Sequence, residues 1–210
     1  MGKKKEPKRK PKVAIAIPLA EDSLKAKTLF SIIHAVRDVE FDFDLVMNIS
    51  CDLIGNRVRS VRQARKIGAT HLLFVDHDMF FPPVKDVHAY PPFVSPITKL
   101  LAHDKDIIGA AYNYRMLPLK STAFPLVNYE ELTIERPPLY KCDVVGTGLM
   151  LIKMSVFDKV PEPWFLFGRD AEGEMVRGED AHFCQAAIKA GFEVWADGTL
   201  GVKHLGEYLY

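Results

Sequence analysis

The stretch His71-Leu72-Leu73-Phe74-Val75-Asp76-His77-Asp78 constrains the fold more than any other part of this chain. Its apolar run, branched and aromatic with no polar alternation, has the pattern of a strand buried on both faces, as in parallel sheets covered by helices. The run ends abruptly in two carboxylates, which have no place in a core. Strand side chains repeat every second residue, so Asp76 and Asp78 project to one side at the carboxyl end of the strand. In open α/β sheets that edge is where ligands bind. Paired carboxylates there suit a hard cation, Mn²⁺ or Mg²⁺, that takes oxygen ligands and keeps positions open for substrate phosphates. Taken alone, an Asp-x-Asp is more often part of a turn or helix cap. Its weight comes from what surrounds it.

Upstream, Val13 to Ile17 is a continuous apolar run closed by Pro18, the pattern of a buried first strand. Leu24 to Val39 has helical spacing, with Leu29, Ile32, Ile33 and Val36 on one face. A second strand follows from Asp42 to Ser50. Then Ile54, Val58, Val61 and Ala64 to Ile67 mark an amphipathic helix carrying Arg57, Arg59, Arg62 and Arg65. The order β-α-β-α-β predicts an α/β fold with a Rossmann-like, doubly wound, mainly parallel sheet.

Downstream the alternation stops. Met79 to Pro83 breaks regular structure, a helix is expected at Ser95 to His103, and a strand at Ile107 to Tyr112. A Pro-rich stretch from 116 to 142 leaves room for short strands at 123–129 and 139–143. The second half is therefore expected to be a mixed α+β addition to the parallel half. Val144 to Ile152 reads as a strand interrupted by Gly146 and Gly148, and glycine inside a strand signals a bulge or a close approach by a ligand or backbone. This pair does not open a helix after a strand, so it is no dinucleotide fingerprint. A short helix at Ser155 to Val160 precedes a Pro- and Gly-punctuated segment, of which 168–178 is expected to be a mobile loop. Trp164 lies just before it, where packing and stacking on a ligand are both open readings. Glu179-Asp180 starts a helix ended by Gly191, and acidic residues at such a start often serve only as caps. A strand at Phe192 to Ala196 and the run Val202 to Gly206 close the chain.

Charge is unevenly spread. Seven of the 28 basic residues but only one of the 27 acidic residues fall in residues 1–12, which leaves the remainder mildly acidic. That balance argues against a nucleic-acid-binding surface on the folded part. The basic start has no apolar residue between Met1 and Val13, so it is expected to be disordered and to make at most weak contact with anionic membrane or nucleic acid. It lacks the apolar middle of a signal peptide, and no stretch approaches a membrane span. Cys51, Cys142 and Cys184 are odd in number and widely spaced, and read as reduced core thiols of a cytoplasmic protein. The expected organisation is one domain from residue 13 to 210, with a division near residue 115.

In their order, these features resemble the nucleotide-sugar-dependent glycosyltransferases of the GT-A fold, close to the inverting family 2 type. The matching stretches are Val13 to Pro18, Leu73 to Met79 as the Asp-x-Asp strand, Val145 to Ile152 as the central strand, Gly178-Glu179-Asp180 with Phe183-Cys184, and His204-Leu205-Gly206. The resemblance implies that Asp76, Asp78 and His204 hold Mn²⁺ or Mg²⁺ against the donor diphosphate. It makes Asp180 the general base, with Glu179 contacting the acceptor or orienting the loop. It places Pro18, His77, Gly146, Thr147 and Gly148 around the donor, and Trp164 is the acceptor-side candidate. Arg57 is a further donor-side candidate, although Gly55-Asn56-Arg57-Val58-Arg59 departs from the Ala-Arg-Asn of many relatives and could equally be helix surface charge. The resemblance makes residues 13–115 the nucleotide-sugar-binding half and 116–210 the acceptor and catalytic half. The expected location is cytoplasmic, at most peripheral at the inner membrane face through the basic start. Two rival readings are a metal-dependent nucleotidyltransferase or nucleotide-sugar pyrophosphorylase, and a non-catalytic binding module. Against the first, Pro18-Leu19-Ala20-Glu21 stands where a Gly-rich signature loop is required.

Overall fold

The computed structural model describes residues 10–85, 93–115, 119–125 and 137–206. Residues 1–9 of the basic start, and most of the strand expected at 123–129, lie outside them. In chain order the elements are β1 (Lys12–Leu19), α1 (Ala26–Ala35), β2 (Asp42–Ile49), α2 (Leu53–Lys66), β3 (His71–Val75), β4 (Met79–Phe80), β5 (Val84–Lys85), β6 (Phe93–Val94), α3 (Pro96–Ala102), β7 (Ile107–Ala110), β8 (Tyr140–Cys142), β9 (Leu149–Lys153), α4 (Val156–Lys159), β10 (Gly168–Arg169), β11 (Met175–Arg177), α5 (Glu179–Lys189), β12 (Val194–Asp197) and β13 (Lys203–His204).

Seven strands form one sheet in the order β2-β1-β3-β9-β7-β12-β8. The pairs β1·β2, β1·β3 and β7·β12 are parallel, whereas β9 runs antiparallel to both β3 and β7, and β8 antiparallel to β12. Five strands thus point one way, a mixed α/β sheet in which the reversal expected of the second half begins at β9. Both faces are covered. Leu72 and Phe74 of β3 pack toward the side of Val61, Ala64, Phe183 and Ala187, on α2 and α5, while Leu73 and Val75 pack toward Ile32, Ile97 and Leu100, on α1 and α3. This two-sided burial is why β3 carries no polar alternation.

The helices start where their sequence allows. Asp52 accepts a hydrogen bond from the Gly55 amide at the head of α2, and Ser95 caps α3 with Pro96 in its first turn. Asn56 in α2 donates to the carbonyls of Leu19 and Ser50, tying the ends of β1 and β2 to the helix.

Several expectations change. The buried face of α1 is Thr28, Ser31, Ile32 and Ala35, and Leu29 and Ile33 are exposed. The helix lies against β4 and α3, through Phe81 N–H to Ser31 Oγ and Ser95 Oγ to the Ala35 carbonyl, and this rotates the small polar residues inward. Residues 168–178 form a β-hairpin, β10 against β11, in place of an irregular loop. Cys142 and Cys184 are buried, and burial pushes the Cys142 thiol up to about 12 and raises Cys184 as well, but Cys51 is exposed. Trp164 is buried. Its indole N–H donates to the Val160 carbonyl, its ring meets Phe157 edge-on and Arg65 covers it, so the packing alternative describes it and no face is open to an acceptor.

Candidate active site

The site gathers at the carboxyl edge of β3. The chain leaves the sheet at Asp76, whose amide donates to the Gly148 carbonyl at 3.2 Å, so the stretch before β9 flanks the acidic turn. The turn is pinned from two other directions. The His77 carbonyl accepts from Thr28 Oγ1 at 2.8 Å and from the Lys25 amide at 3.2 Å, and the Asp78 carbonyl accepts from the Leu205 amide at 2.8 Å. The two-stranded pairing of β4 with β13, His204 opposite Met79, completes the frame. That pairing brings the last part of the fold beside the third strand.

Asp78 is buried, and its carboxylate has two cationic or imidazole partners. His204 Nε2 lies 3.3 Å from one oxygen and Arg115 Nη1 lies 2.9 Å from the other. Burial by itself would raise the Asp78 carboxyl; the His204 hydrogen bond and ring, with Arg115 and His77, outweigh it and hold Asp78 below its ordinary value. His204 Nδ1 is buried without a partner among the described residues. The same ring packs edge-on against Tyr112 at 5.7 Å.

Asp76 faces another way. Its Oδ1 receives Arg57 Nη2 at 3.2 Å, and the same guanidinium reaches Glu179 Oε1 through Nε at 3.0 Å and Nη2 at 2.9 Å. Arg57 is only 1% exposed. It is not surface helix charge: it clamps the acidic turn to the first residue of α5. Burial opposes its charge, and Asp76 and Glu179 more than restore it, so Arg57 stays ionised. Its Nη1 has no partner among the described residues.

The clamp places Asp180, the next residue, beside the turn with little to stabilise its charge. Its Oδ1 accepts one hydrogen bond, from the Ala181 amide at 2.7 Å. Burial first, then the neighbouring Glu179 charge, pushes its carboxyl up to about 6, with Arg57 pulling weakly the other way. A carboxylate held near 6 can accept a proton at neutral pH more readily than an ordinary aspartate.

The Gly146-Thr147-Gly148 stretch precedes β9, which begins only at Leu149. Tyr112 is the reason. A Cβ on Gly146 or on Gly148 would fall 2.5 or 2.4 Å from Tyr112 Oη, and that oxygen accepts the Gly148 amide at 2.9 Å. The close approach signalled by the glycines is filled by a tyrosine of this chain. Burial raises the Tyr112 phenol well above its usual range, so it stays neutral. Thr147 is buried, and Pro18 lies near the end of β1, past the β1·β3 pairing that stops at Ala16.

Asp76, Asp78, His204, Arg57, Glu179, Asp180 and the glycines thus meet at one edge of the sheet, and Trp164 does not join them. The sequence reading missed Tyr112 and Arg115. Arg115 follows β7, a strand parallel to β3, at the edge where ligand-binding residues collect, and that position was its available signal. Tyr112 was signalled only through the glycines that accommodate it.

The donor set fits a hard cation in part. Asp78 Oδ1 and His204 Nε2 offer an oxygen and an imidazole nitrogen facing each other, and Asp78 already attracts the Arg115 guanidinium. Asp76 is held by Arg57, and no group of three ligating side chains is assembled among the described residues. A cation here would take two protein donors and draw the rest of its shell from substrate phosphate and water.

No family model matches the chain, and no curated protein matches it. Solved structures do. The fold resembles A197 from STIV, with a TM-score of 0.64 at 15% identity over 94% of this chain and 86% of that one. It also resembles GalNAc-T7, a glycosyltransferase solved with UDP, GalNAc and Mn²⁺, with a TM-score of 0.50 at 15% identity; the match covers 96% of this chain and 45% of the larger protein. The architecture, a mixed α/β chain with a seven-stranded, mainly parallel central sheet, is compatible with a GT-A-like fold.

Proposed function

We propose that this chain is a metal-dependent glycosyltransferase that moves a sugar from a nucleoside-diphosphate sugar to an acceptor hydroxyl with inversion. The observation that carries this reading is a division of labour among acidic groups at one sheet edge. Asp78 is held ionised beside His204 and Arg115, whereas Asp180 is held near 6 on the neighbouring helix. Two carboxyl groups with opposed shifts are the arrangement expected where one binds charge and the other moves a proton.

In this reading Asp78 and His204 hold Mn²⁺ or Mg²⁺, which supplies Lewis-acid neutralisation of the leaving diphosphate. Arg115, half-exposed and already on Asp78, is close enough to contact the same phosphates. Arg57 fixes the distance between Asp76 and the head of α5 through two buried ion pairs. Asp180 takes the acceptor hydroxyl's proton through a carboxylate oxygen, a contribution of roughly 10² to 10⁴ in rate. Glu179 positions Asp180 and does not itself accept the proton, since Arg57 occupies it. Tyr112 keeps the Gly146 to Gly148 backbone beside the acidic turn, next to where the donor sugar would sit. Pro18 and His77 remain on the donor side of this arrangement, and the acceptor side is left without Trp164.

Hydrolysis of a panel of nucleotide-sugars with and without Mn²⁺ tests the proposal. It expects metal-dependent release of sugar from at least one donor, and no pyrophosphate release from a nucleoside triphosphate. Pyrophosphate release from a triphosphate would support the nucleotidyltransferase reading, and no turnover or binding of any donor would support a non-catalytic module.

A further inference from the structure

The outermost strand β2 leaves a long edge of the sheet open. It runs eight residues with no proline, no lysine and no break in its register with β1, from Lys12 opposite Asp42 to Leu19 opposite Ile49. The strand at the other edge, β8, is three residues long and carries a Lys141–Glu193 ion pair. Short, charged edges of that kind keep a sheet from pairing further, and β2 has neither property. The amides of Asp42 and Ser50 donate inward, to the carbonyls of Pro11 and Leu19, both at 2.9 Å. Backbone groups alternate in direction along a strand, so those of Phe43, Leu45, Met47 and Ile49 point outward, and no strand pairs with them among the described residues. The side chains of the same four residues are 39 to 56% exposed.

A row of outward N–H and C=O groups is matched by another strand; lipid or a small apolar ligand would leave it unpaired. The residues of β2 fit a second copy of β2. A twofold axis sets two such edges antiparallel, with the same patch on both sides. With the axis at Val46, Leu45 of one copy stands opposite Met47 of the other and Phe43 opposite Ile49, so all four outward residues of each copy are hydrogen-bonded and their apolar side chains pair on one face. On the other face Asp44 meets Asn48 and Asp42 meets Ser50, so like charges do not oppose each other. The aspartates, which would otherwise guard this edge, are also neutralised within their own chain by Lys10 and Lys12, at 2.8 and 2.9 Å. Three-residue β8 is too short to pair along β2, so the contact closes as a dimer instead of growing into a fibre. We propose that the chain forms a twofold dimer through β2, joining two seven-stranded sheets into one. Because β2 runs parallel to β1, and β1 to β3, the two candidate sites then open at opposite ends of the shared sheet. This does not depend on the catalytic reading.

Sedimentation velocity of the full chain over a range of concentrations tests it, and a species of twice the chain mass is expected to grow as concentration rises. Leu45→Lys, and separately Met47→Lys, set a charge on the open edge while leaving the inward hydrogen bonds to β1 in place. Each is expected to raise the dimer dissociation constant by at least about tenfold. Circular dichroism matching wild type would show that these variants fold. Val46→Cys in a Cys51→Ser background reads the register. Residues opposed at the axis form a non-hydrogen-bonded pair with Cα atoms about 4.5 Å apart, within disulfide reach, so oxidation is expected to link two chains. Should the lysine variants fail to fold, this cross-link decides alone. The proposal is overturned if wild type keeps the monomer mass at every concentration, whatever else binds the edge. It is overturned too if both folded lysine variants dimerise as well as wild type, or if Val46→Cys chains do not cross-link.

Discussion

Arg57 and Glu179, 122 residues apart, form a buried ion pair in which two guanidinium nitrogens lie 3.0 and 2.9 Å from one carboxylate oxygen. The same Arg57 reaches Asp76, so one side chain joins the third strand's acidic turn to the helix that carries Asp180. Replacing Arg57 with Met leaves two carboxylates facing each other without a cation. Breaking such a pair by removing one partner costs roughly 3–5 kcal/mol. Chemical denaturation of Arg57→Met is expected to show a loss of that order, and adding Glu179→Gln should recover part of it. No loss in the single variant would mean that the clamp carries no strain-relieving role.

Asp180 has its charge poorly compensated, and this makes a stability prediction of definite sign. Its folded carboxyl is pushed up to about 6, above the ordinary aspartate value, so its contribution to stability is present at low pH and is lost as pH rises through about 6. Asp180→Asn is therefore expected to melt higher than wild type at pH 8, with the gap closing toward pH 4. Transfer should fall by about 10² to 10⁴ while donor binding is kept. A variant that is less stable at pH 8, or that keeps most of its rate, would contradict the assignment.

The same carboxyl sets a rate profile. The base must be ionised to act, so kcat/KM is expected to fall as pH drops through about 6 and to be flat above it, provided the Asp78 carboxyl, held low, stays ionised across the range. An activity that holds steady down to pH 4 would rule out Asp180 as the titrating base.

Tyr112 and Gly148 offer a packing test. Gly148→Ala places a methyl group 2.4 Å from Tyr112 Oη, inside a contact with no room to give. Overpacking of this kind costs about 1–3 kcal/mol. Tyr112→Phe removes the oxygen but leaves the ring carbon at 2.8 Å and Met79 Sδ at 2.9 Å from the new methyl, so it should relieve part of the cost in the double variant, which a double-mutant cycle by thermal unfolding would measure. Additive effects would show that Tyr112 does not hold the glycines in place.

Much of the frame was legible in the residues. The apolar runs at Val13 to Ile17 and Leu72 to Val75 became β1 and β3, because a strand covered on both faces has no polar alternation to confuse it. The helix expected from Ser95 does begin there, with Ser95 as its cap, whereas the Asp52 cap of α2 is seen only in the fold. Other parts depended on partners far along the chain. Arg57 looked like surface charge because the helix around it is rich in arginine, and only the fold brings Asp76 and Glu179 to it. Gly146 and Gly148 announced a close neighbour without naming it, and Tyr112 lies more than thirty residues before them. Trp164 was open to packing or to stacking on an acceptor, and Phe157 and Arg65 enclose it. The face of α1 was misread because its small polar residues, Thr28 and Ser31, hydrogen-bond to the backbone and so can be buried.

The account rests on Asp78 and His204 holding the cation that carries a nucleotide-sugar. Isothermal titration of wild type and Asp78→Asn with a panel of nucleoside-diphosphate sugars, each with and without Mn²⁺, tests that most directly. Binding of at least one donor by wild type only when Mn²⁺ is present, and its loss in Asp78→Asn with the fold intact, is the predicted result. Equal affinity in the two proteins, or no donor bound by wild type under any condition, would contradict it.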